Sequence, residues 1–180
     1  MESKLLTPLI TEIEIRLRIA QLAKQIAEDY AGTDLIVISI MKGSFMFAAD
    51  LLRRLYDLGA QPEADFIRAA SYGYRSHSSG RVEIGLDIDI PVEGRDVLLL
   101  DDISDTGRTM THLLDHFSNK KTVGNIRTCV LLDKPSRREV EFVPDYVGFE
   151  IPDLFIVGYG TDYNERYRSL PFIAVVKTDE

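Results

Sequence analysis

Val97–Met110 reads VLLLDDISDTGRTM, and the fold follows from how that stretch divides. Val97 to Leu100 is a short, uninterrupted apolar run, the pattern of a strand covered on both faces. Asp101 and Asp102 stand where such a strand is expected to end. Ile103–Thr109 (ISDTGRT) is a small polar loop, after which Met110, Leu113, Leu114 and Phe117 recur on one face of a helix. A buried strand, a polar loop and a helix N-terminus make an anion site, because the unpaired N–H groups and the positive dipole end favour phosphate. The hydroxyls of Thr106 and Thr109 add donors, and Gly107 lets the backbone come close. No Gly-x-x-x-x-Gly-Lys-Ser/Thr spacing occurs, so this is not a Walker loop.

Two carboxylates beside a phosphate site make sense through the ligand's other groups. A ribose diol offers donors and wants acceptors. Magnesium bridging phosphate oxygens also wants oxygen ligands. Together these describe a sugar phosphate with an exposed diol, brought in with Mg²⁺. The plainer reading is an ordinary strand–turn–helix corner with Asp105 as an Asx turn.

Working outward, Thr11 and Glu14 form a capping box ahead of the apolar series Ile13, Leu17, Ala20, Ala27 and Tyr30, a helix that Gly32 should end. Leu35–Ile40 is a buried strand, Met41–Ser44 a loop, and a helix runs from about Phe45 to Leu58. This alternation predicts a parallel sheet with crossovers, its ligand loops at the carboxyl ends of strands. Lys42 and the amide of Gly43 are therefore anion candidates, against the plainer reading of a βα turn with a solvated lysine. Ala64–Ser71 reads as a strand. Residues 72–80 are polar and glycine-bearing, too long for a tight hairpin, and read as a mobile lid over the reacting centre. Arg81–Ile90 alternates as a half-exposed strand, with Asp87 and Asp89 on its solvated face. His112 and His116, four apart on the helix, lack a third ligand and read as solvated. Ile126–Leu132, Leu154–Tyr159 and Pro171–Lys177 are further strands, and Asp133–Arg138 lies at the carboxyl end of the first of them.

The chain has 180 residues, 45% hydrophobic and 28% charged, the balance of one globular domain spanning 1–180. The start MESKLLTPLI lacks the apolar stretch of a signal peptide, no run reaches membrane-spanning length, and the single Cys129 fits a reducing compartment. A cytoplasmic protein without a membrane is expected. The net charge of −8 argues against a general nucleic-acid surface.

The apolar run, two acids and Asp-Thr-Gly-x-Thr resemble the phosphoribosyl-diphosphate fingerprint of the type I phosphoribosyltransferases. Val147-Gly-Phe-Glu-Ile-Pro-Asp153, Phe155, Val157-Gly-Tyr159 and Asp162-Tyr-Asn-Glu165 resemble the hypoxanthine–guanine branch, and the likeness runs from about Leu35 to the C-terminus. It implies an α/β fold: a Rossmann-like parallel sheet flanked by helices, with a small hood built from the chain ends (mainly 134–180 with the N-terminus) and a flexible lid over 71–81 that begins at Ser71-Tyr72. It implies transfer of a phosphoribosyl group from phosphoribosyl diphosphate to a 6-oxopurine in purine salvage. By the same resemblance, Asp101 and Asp102 hold the ribose hydroxyls directly or through Mg²⁺. Asp105 accepts the ring proton. Ser104, Thr106, Gly107, Arg108 and Thr109 cradle the 5′-phosphate. Lys42, Gly43 and Arg168 hold diphosphate, in a loop that in the family often carries a non-proline cis peptide, and Asp162 takes a second Mg²⁺. Phe155 stacks on the purine, backbone at Ile156 and Asp162 reads its edge, and Lys134 donates to the 6-oxo group. Assembly as a homodimer or homotetramer is implied too. The family often shows Glu-Asp where this chain has Asp101-Asp102, and also Lys where it has Arg108. Two other readings share the fold: a phosphoribosyl-diphosphate-sensing RNA-binding regulator, which Asp105 and the acidic balance disfavour, and a xanthine-preferring transferase.

Overall fold

A computed structural model describes residues 6–71, 82–119 and 123–177. In chain order the elements are β1 (Leu6–Ile10), α1 (Glu12–Asp29), β2 (Leu35–Ile40), α2 (Phe45–Asp57), β3 (Glu63–Ser71) and β4 (Val82–Leu86). Then follow β5 (Asp96–Ser104), α3 (Arg108–Asn119), β6 (Ile126–Asp133), a single 3₁₀ turn at Pro135–Arg137, β7 (Tyr146–Glu150), β8 (Ile156–Val157) and β9 (Ile173–Val176).

The buried strands explain the layering. Alternate residues point to opposite faces of a strand. Leu35, Val37, Leu98, Leu100, Cys129 and Leu131 meet the apolar faces of α1 (Ile15, Ile19, Leu22, Ile26) and α2 (Phe47, Leu51, Leu55). Ile36, Ile38, Ile40, Val97, Leu99 and Val130 meet Met110, Leu113 and Phe117 of α3. Both faces of the central strands are thus covered, as parallel strands require. The six-stranded sheet has the order β4-β3-β2-β5-β6-β7. All its pairs are parallel except β3–β4, where the edge strand returns antiparallel. The expected capping box at Thr11 and Glu14 starts α1.

A second sheet of three antiparallel strands, β1-β9-β8, ties the N-terminal end of the described chain to its C-terminal end. β1 was not foreseen: Pro8 breaks its apolar pattern and shifts its register, which an edge strand tolerates. β7 lies in the large sheet, so the small sheet draws only on residues 6–10 and 156–176.

Four expectations need correcting. β5 does not stop at Leu100 but continues through both carboxylates to Ser104, held by β6 alone (Asp101↔Val130, Ile103↔Leu132, Ser104↔Asp133) after its last pair with β2, Ser39↔Leu100. The strand expected over 81–90 ends at Leu86, because the Asp65 carboxylate captures the N–H groups of Asp89 and Ile90 at 2.8 and 3.0 Å. The strand expected over 154–159 shrinks to two residues, since Gly158, Tyr159 and Gly160 all have positive φ. His116 is not simply solvated: its Nε2 lies 3.1 Å from Asp87 Oδ2, and its ring meets Phe117 edge-on. The lid expected over 71–81 falls, beyond the backbone of Ser71, outside the described residues, and Tyr72 with it. No described helix is long and apolar enough to cross a membrane.

Phe117 is fully buried between α3 and the sheet. Phe117→Ala is expected to cost about 3–5 kcal/mol. Urea unfolding of the two proteins measures the difference.

Candidate functional site

β2 ends at Ile40, and the chain turns through Met41–Ser44 into α2. The N–H of Met41 still donates to Ile67 of β3 at 2.8 Å, and the Met41–Lys42 peptide is cis. Ser44 is buried. Its hydroxyl donates to the Ile40 carbonyl at 2.5 Å and lies 2.6 Å from the Ser39 hydroxyl, which pins the turn to its strand. Gly43 is packed so tightly that a methyl group there would fall on the Asp102 carboxylate. Gly160, at φ +102°, presses on Gly43 in turn, and a methyl group there would fall on the Gly43 carbonyl. Three distant segments meet with no room for a side chain at either glycine.

Beside this contact opens a cavity of about 430 Å³. Its walls are Met41 and Gly43 from the turn, and Asp101 to Met110 from the end of β5 and the start of α3. The expected phosphate residues Ser104, Thr106, Gly107, Arg108 and Thr109 are all in that wall, with Asp101, Asp102 and Asp105. Helix α3 begins at Arg108, so its first-turn N–H groups are at the cavity. Gly107 has φ +83°, and a methyl group on it would press on Arg138, Val140 and Phe142, which cover the loop from outside.

Asp101 is buried and Asp102 partly so. Burial pushes both carboxyls upward, Asp101 well above the usual range, with the charge of Asp102 adding to its shift. Arg168 partly offsets this at Asp102. Two adjacent desolvated carboxylates fit a hard divalent cation, since Mg²⁺ takes one or two carboxylates and fills its remaining positions with water and substrate oxygens. Asp162 fits less readily. Its Oδ1 is 2.8 Å from Arg168, and its Oδ2 accepts the Glu165 N–H at 2.8 Å. Among the described residues no group of three or more His, Cys, Asp or Glu side chains could hold a metal.

The expected diphosphate cations converge from two sides. Lys42 Nζ is 3.0 Å from Glu165 Oε2, and Arg168 Nη2 is 3.2 Å from the same oxygen. Arg168 also donates to the Gly160 carbonyl at 2.8 Å, while its Nε is buried with no partner among the described residues. These two hydrogen bonds, that from Lys42 first, hold the Glu165 carboxyl below its ordinary value. Lys42 is thus turned toward Glu165 and is not part of the cavity wall.

Lys134 is buried, and its Nζ donates to the Leu154 carbonyl at 2.7 Å. Its backbone N–H donates to the Ser104 carbonyl at 2.9 Å, which fastens the β6 end to the phosphate loop. Phe155 is half exposed and meets Tyr163 edge-on at 5.5 Å, leaving ring surface free. Ile156 is buried in β8, paired with Val175. Sequence reasoning passed over Glu165, Arg137 and Arg138. Only the position of the arginines at a strand's carboxyl end hinted at them, and a basic surface turn looks the same.

A phosphoribosyl transferase domain model matches residues 10–164. Hypoxanthine-guanine phosphoribosyltransferase of Bacillus subtilis is 43% identical over 169 residues, 94% of this chain and 92% of that protein. Hypoxanthine phosphoribosyltransferase of Escherichia coli K12 is 43% identical over 175 residues, 96% of each. Among solved structures, a hypoxanthine-guanine phosphoribosyltransferase from Bacillus anthracis superposes with TM-score 0.88 at 44% identity, covering 95% of this chain and 98% of that one. The Trypanosoma cruzi hypoxanthine phosphoribosyltransferase in complex with the product IMP gives 0.87 at 42%, covering 98% and 96%.

The acid pair carries a stability prediction. In metal-free buffer Asp101→Asn should stabilise the protein by roughly 1–3 kcal/mol at neutral pH, because it removes a desolvated charge that sits beside that of Asp102. A carboxyl raised by folding keeps its proton where the unfolded chain has lost it. The unchanged protein therefore loses stability as pH climbs from about 4 toward the folded value, and the Asn variant, in which only Asp102 remains to be raised by burial, loses less. Thermal melts with chelator should show a wide gap at pH 7 that closes near pH 4.

Proposed function

We propose that this chain, which belongs to the phosphoribosyl transferase family, transfers the 5-phosphoribosyl group of phosphoribosyl diphosphate to N9 of hypoxanthine or guanine, releasing diphosphate. The cavity that joins Asp101 and Asp102 to the Ser104–Thr109 loop at the start of α3 carries this reading. It offers acceptors for a diol and donors for a phosphate within one wall. The relatives named for this activity cover nearly the whole chain.

In the reaction the bond from the anomeric carbon to diphosphate breaks, its electron pair leaving with the oxygen, and the purine N9 bond forms. Positive charge grows on the sugar and negative charge on the leaving group, so positioning and leaving-group stabilisation are what the protein supplies. Ser104, Thr106, Gly107, Thr109 and the Arg108 amide cradle the 5′-phosphate. Asp101 and Asp102 accept from the ribose hydroxyls. The Gly43 amide, Lys42 and Arg168 hold diphosphate, and for this Glu165 must give up the two cations it bridges. Asp105 takes the ring proton of the base. Phe155 stacks on the purine, with Ile156 and Asp162 at its edge. Lys134 spends one of its protons on Leu154 and has others for a 6-oxo acceptor. Mg²⁺, when bound, would neutralise the charge of the diphosphate. Asp101 and Asp102 would hold one ion, and a second at Asp162 requires Arg168 to release that carboxylate.

A steady-state panel of purines with phosphoribosyl diphosphate and Mg²⁺ tests the reading. Hypoxanthine or guanine should be used efficiently. Adenine, whose amino donor would face the Lys134 ammonium in a closed site, should fall behind by about 10⁴-fold or more in kcat/KM. Adenine used as well as hypoxanthine would defeat both the role of Lys134 and this branch of the family.

A further inference from the structure

Asp105 is gripped at both ends by arginines to which the chemistry above gives no role. Arg137 Nε donates to Asp105 Oδ1 at 3.1 Å, and Arg138 Nη1 donates to the Asp105 backbone carbonyl at 2.6 Å. Both belong to the 3₁₀ turn and its cap that follow Lys134. Arg138 is itself immobilised. It donates to Ser104 Oγ at 2.8 Å and to the Phe142 carbonyl at 3.2 Å, and it pairs with the buried Asp133. Arg137 is half exposed, and its Nη1 lies 3.7 Å from Asp153 Oδ2. The other Asp153 oxygen is 3.8 Å from Lys134 Nζ, so Asp105, Arg137, Asp153 and Lys134 form one line of alternating charge along the purine side.

We propose that Arg137 and Arg138 are positioning residues for Asp105. Arg138 fixes the backbone that carries the side chain. Arg137 occupies Oδ1, orients the carboxylate, and leaves Oδ2 for the ring proton. The inference rests on the reading of Asp105 as proton acceptor. Its physical basis is that a free carboxylate turns about two side-chain bonds, while a misplacement of about 1 Å at a reacting group can cost on the order of 10²-fold in rate. An exposed ion pair adds little to stability, so the contribution of Arg137 should appear in catalysis and not in folding. The charged groups around Asp105 are Arg137, with Asp153 and Glu139 behind it, Arg138 at its carbonyl, and Asp101 and Asp102 earlier in the strand.

The test compares Arg137→Ala, Arg137→Lys and Arg138→Lys with Asp105→Asn in the hypoxanthine reaction. Arg137→Ala should lower kcat by about 10- to 100-fold, with the KM for phosphoribosyl diphosphate and the melting temperature nearly unchanged. Arg137→Lys should recover part of the loss, and Arg138→Lys should lower kcat while the protein still folds. An Arg137→Ala enzyme with wild-type kcat overturns the proposal. So does a loss that appears equally in KM and melting temperature. Asp105→Asn separates the two failures. If it is inactive while Arg137→Ala behaves as wild type, only the positioning role falls; if it retains full activity, the reading of Asp105 falls and this proposal with it.

Discussion

The site depends on a close contact between three segments of the chain, two of which meet as bare backbone. Gly43 lies against the Asp102 carboxylate, and Gly160 lies against the Gly43 carbonyl, with no space for a methyl group at either glycine. This contact brings the end of β5, the turn after β2 and the small sheet's loop to one place. The turn carries the Gly43 amide proposed to bind an anion, the strand end carries the acids, and Arg168 reaches back from beyond the loop to Asp162 and the Gly160 carbonyl. Tyr159 strengthens the same junction through its hydroxyl, 2.5 Å from Asp50 of α2. Interiors are packed too densely to accommodate an extra atom cheaply, so the spacing of the cavity is inherited from the fold.

The electrostatics follow from that crowding. Asp101 and Asp102 are adjacent and desolvated, which raises both carboxyls. On the other side, Lys42 and Arg168 share Glu165. One half of the site thus carries two desolvated carboxyls and the other an internal ion pair. The proposed ligand, with its diol, phosphate and diphosphate and an accompanying divalent cation, would answer each of these groups in turn. On the proposed reading such a ligand would bind through exchange of partners, with its anion replacing Glu165 beside Lys42 and Arg168.

How much of this was legible follows from residue pattern. The central strands were visible because burial on both faces leaves unbroken apolar runs, as at Leu35–Ile40. The loop proposed to hold the phosphate was visible because its donors are consecutive in sequence. The end of β5 was misjudged because acids normally close a strand, whereas here β6 continues the ladder past Asp101. β1 escaped because its pairing is with a strand far along the chain, and no local period reports that, while β8 was drawn too long because an apolar run does not reveal the positive φ of Tyr159. Arg137 and Arg138 escaped for a similar reason. A basic turn on the surface and a basic turn folded over a carboxylate have the same composition, and only the 3.1 and 2.6 Å distances to Asp105 separate them.

The contact that joins Gly160, Gly43 and Asp102 is open to direct measurement. Gly160→Ala introduces one methyl group at a site where φ is positive and the neighbour is backbone, which cannot move aside as a side chain can. Titration calorimetry of phosphoribosyl diphosphate with Mg²⁺ on the folded variant should show affinity reduced by at least about tenfold, equivalent to about 1.4 kcal/mol. Unchanged affinity in a folded Gly160→Ala protein would mean that the cavity does not depend on this contact, and the account given for the site would be wrong.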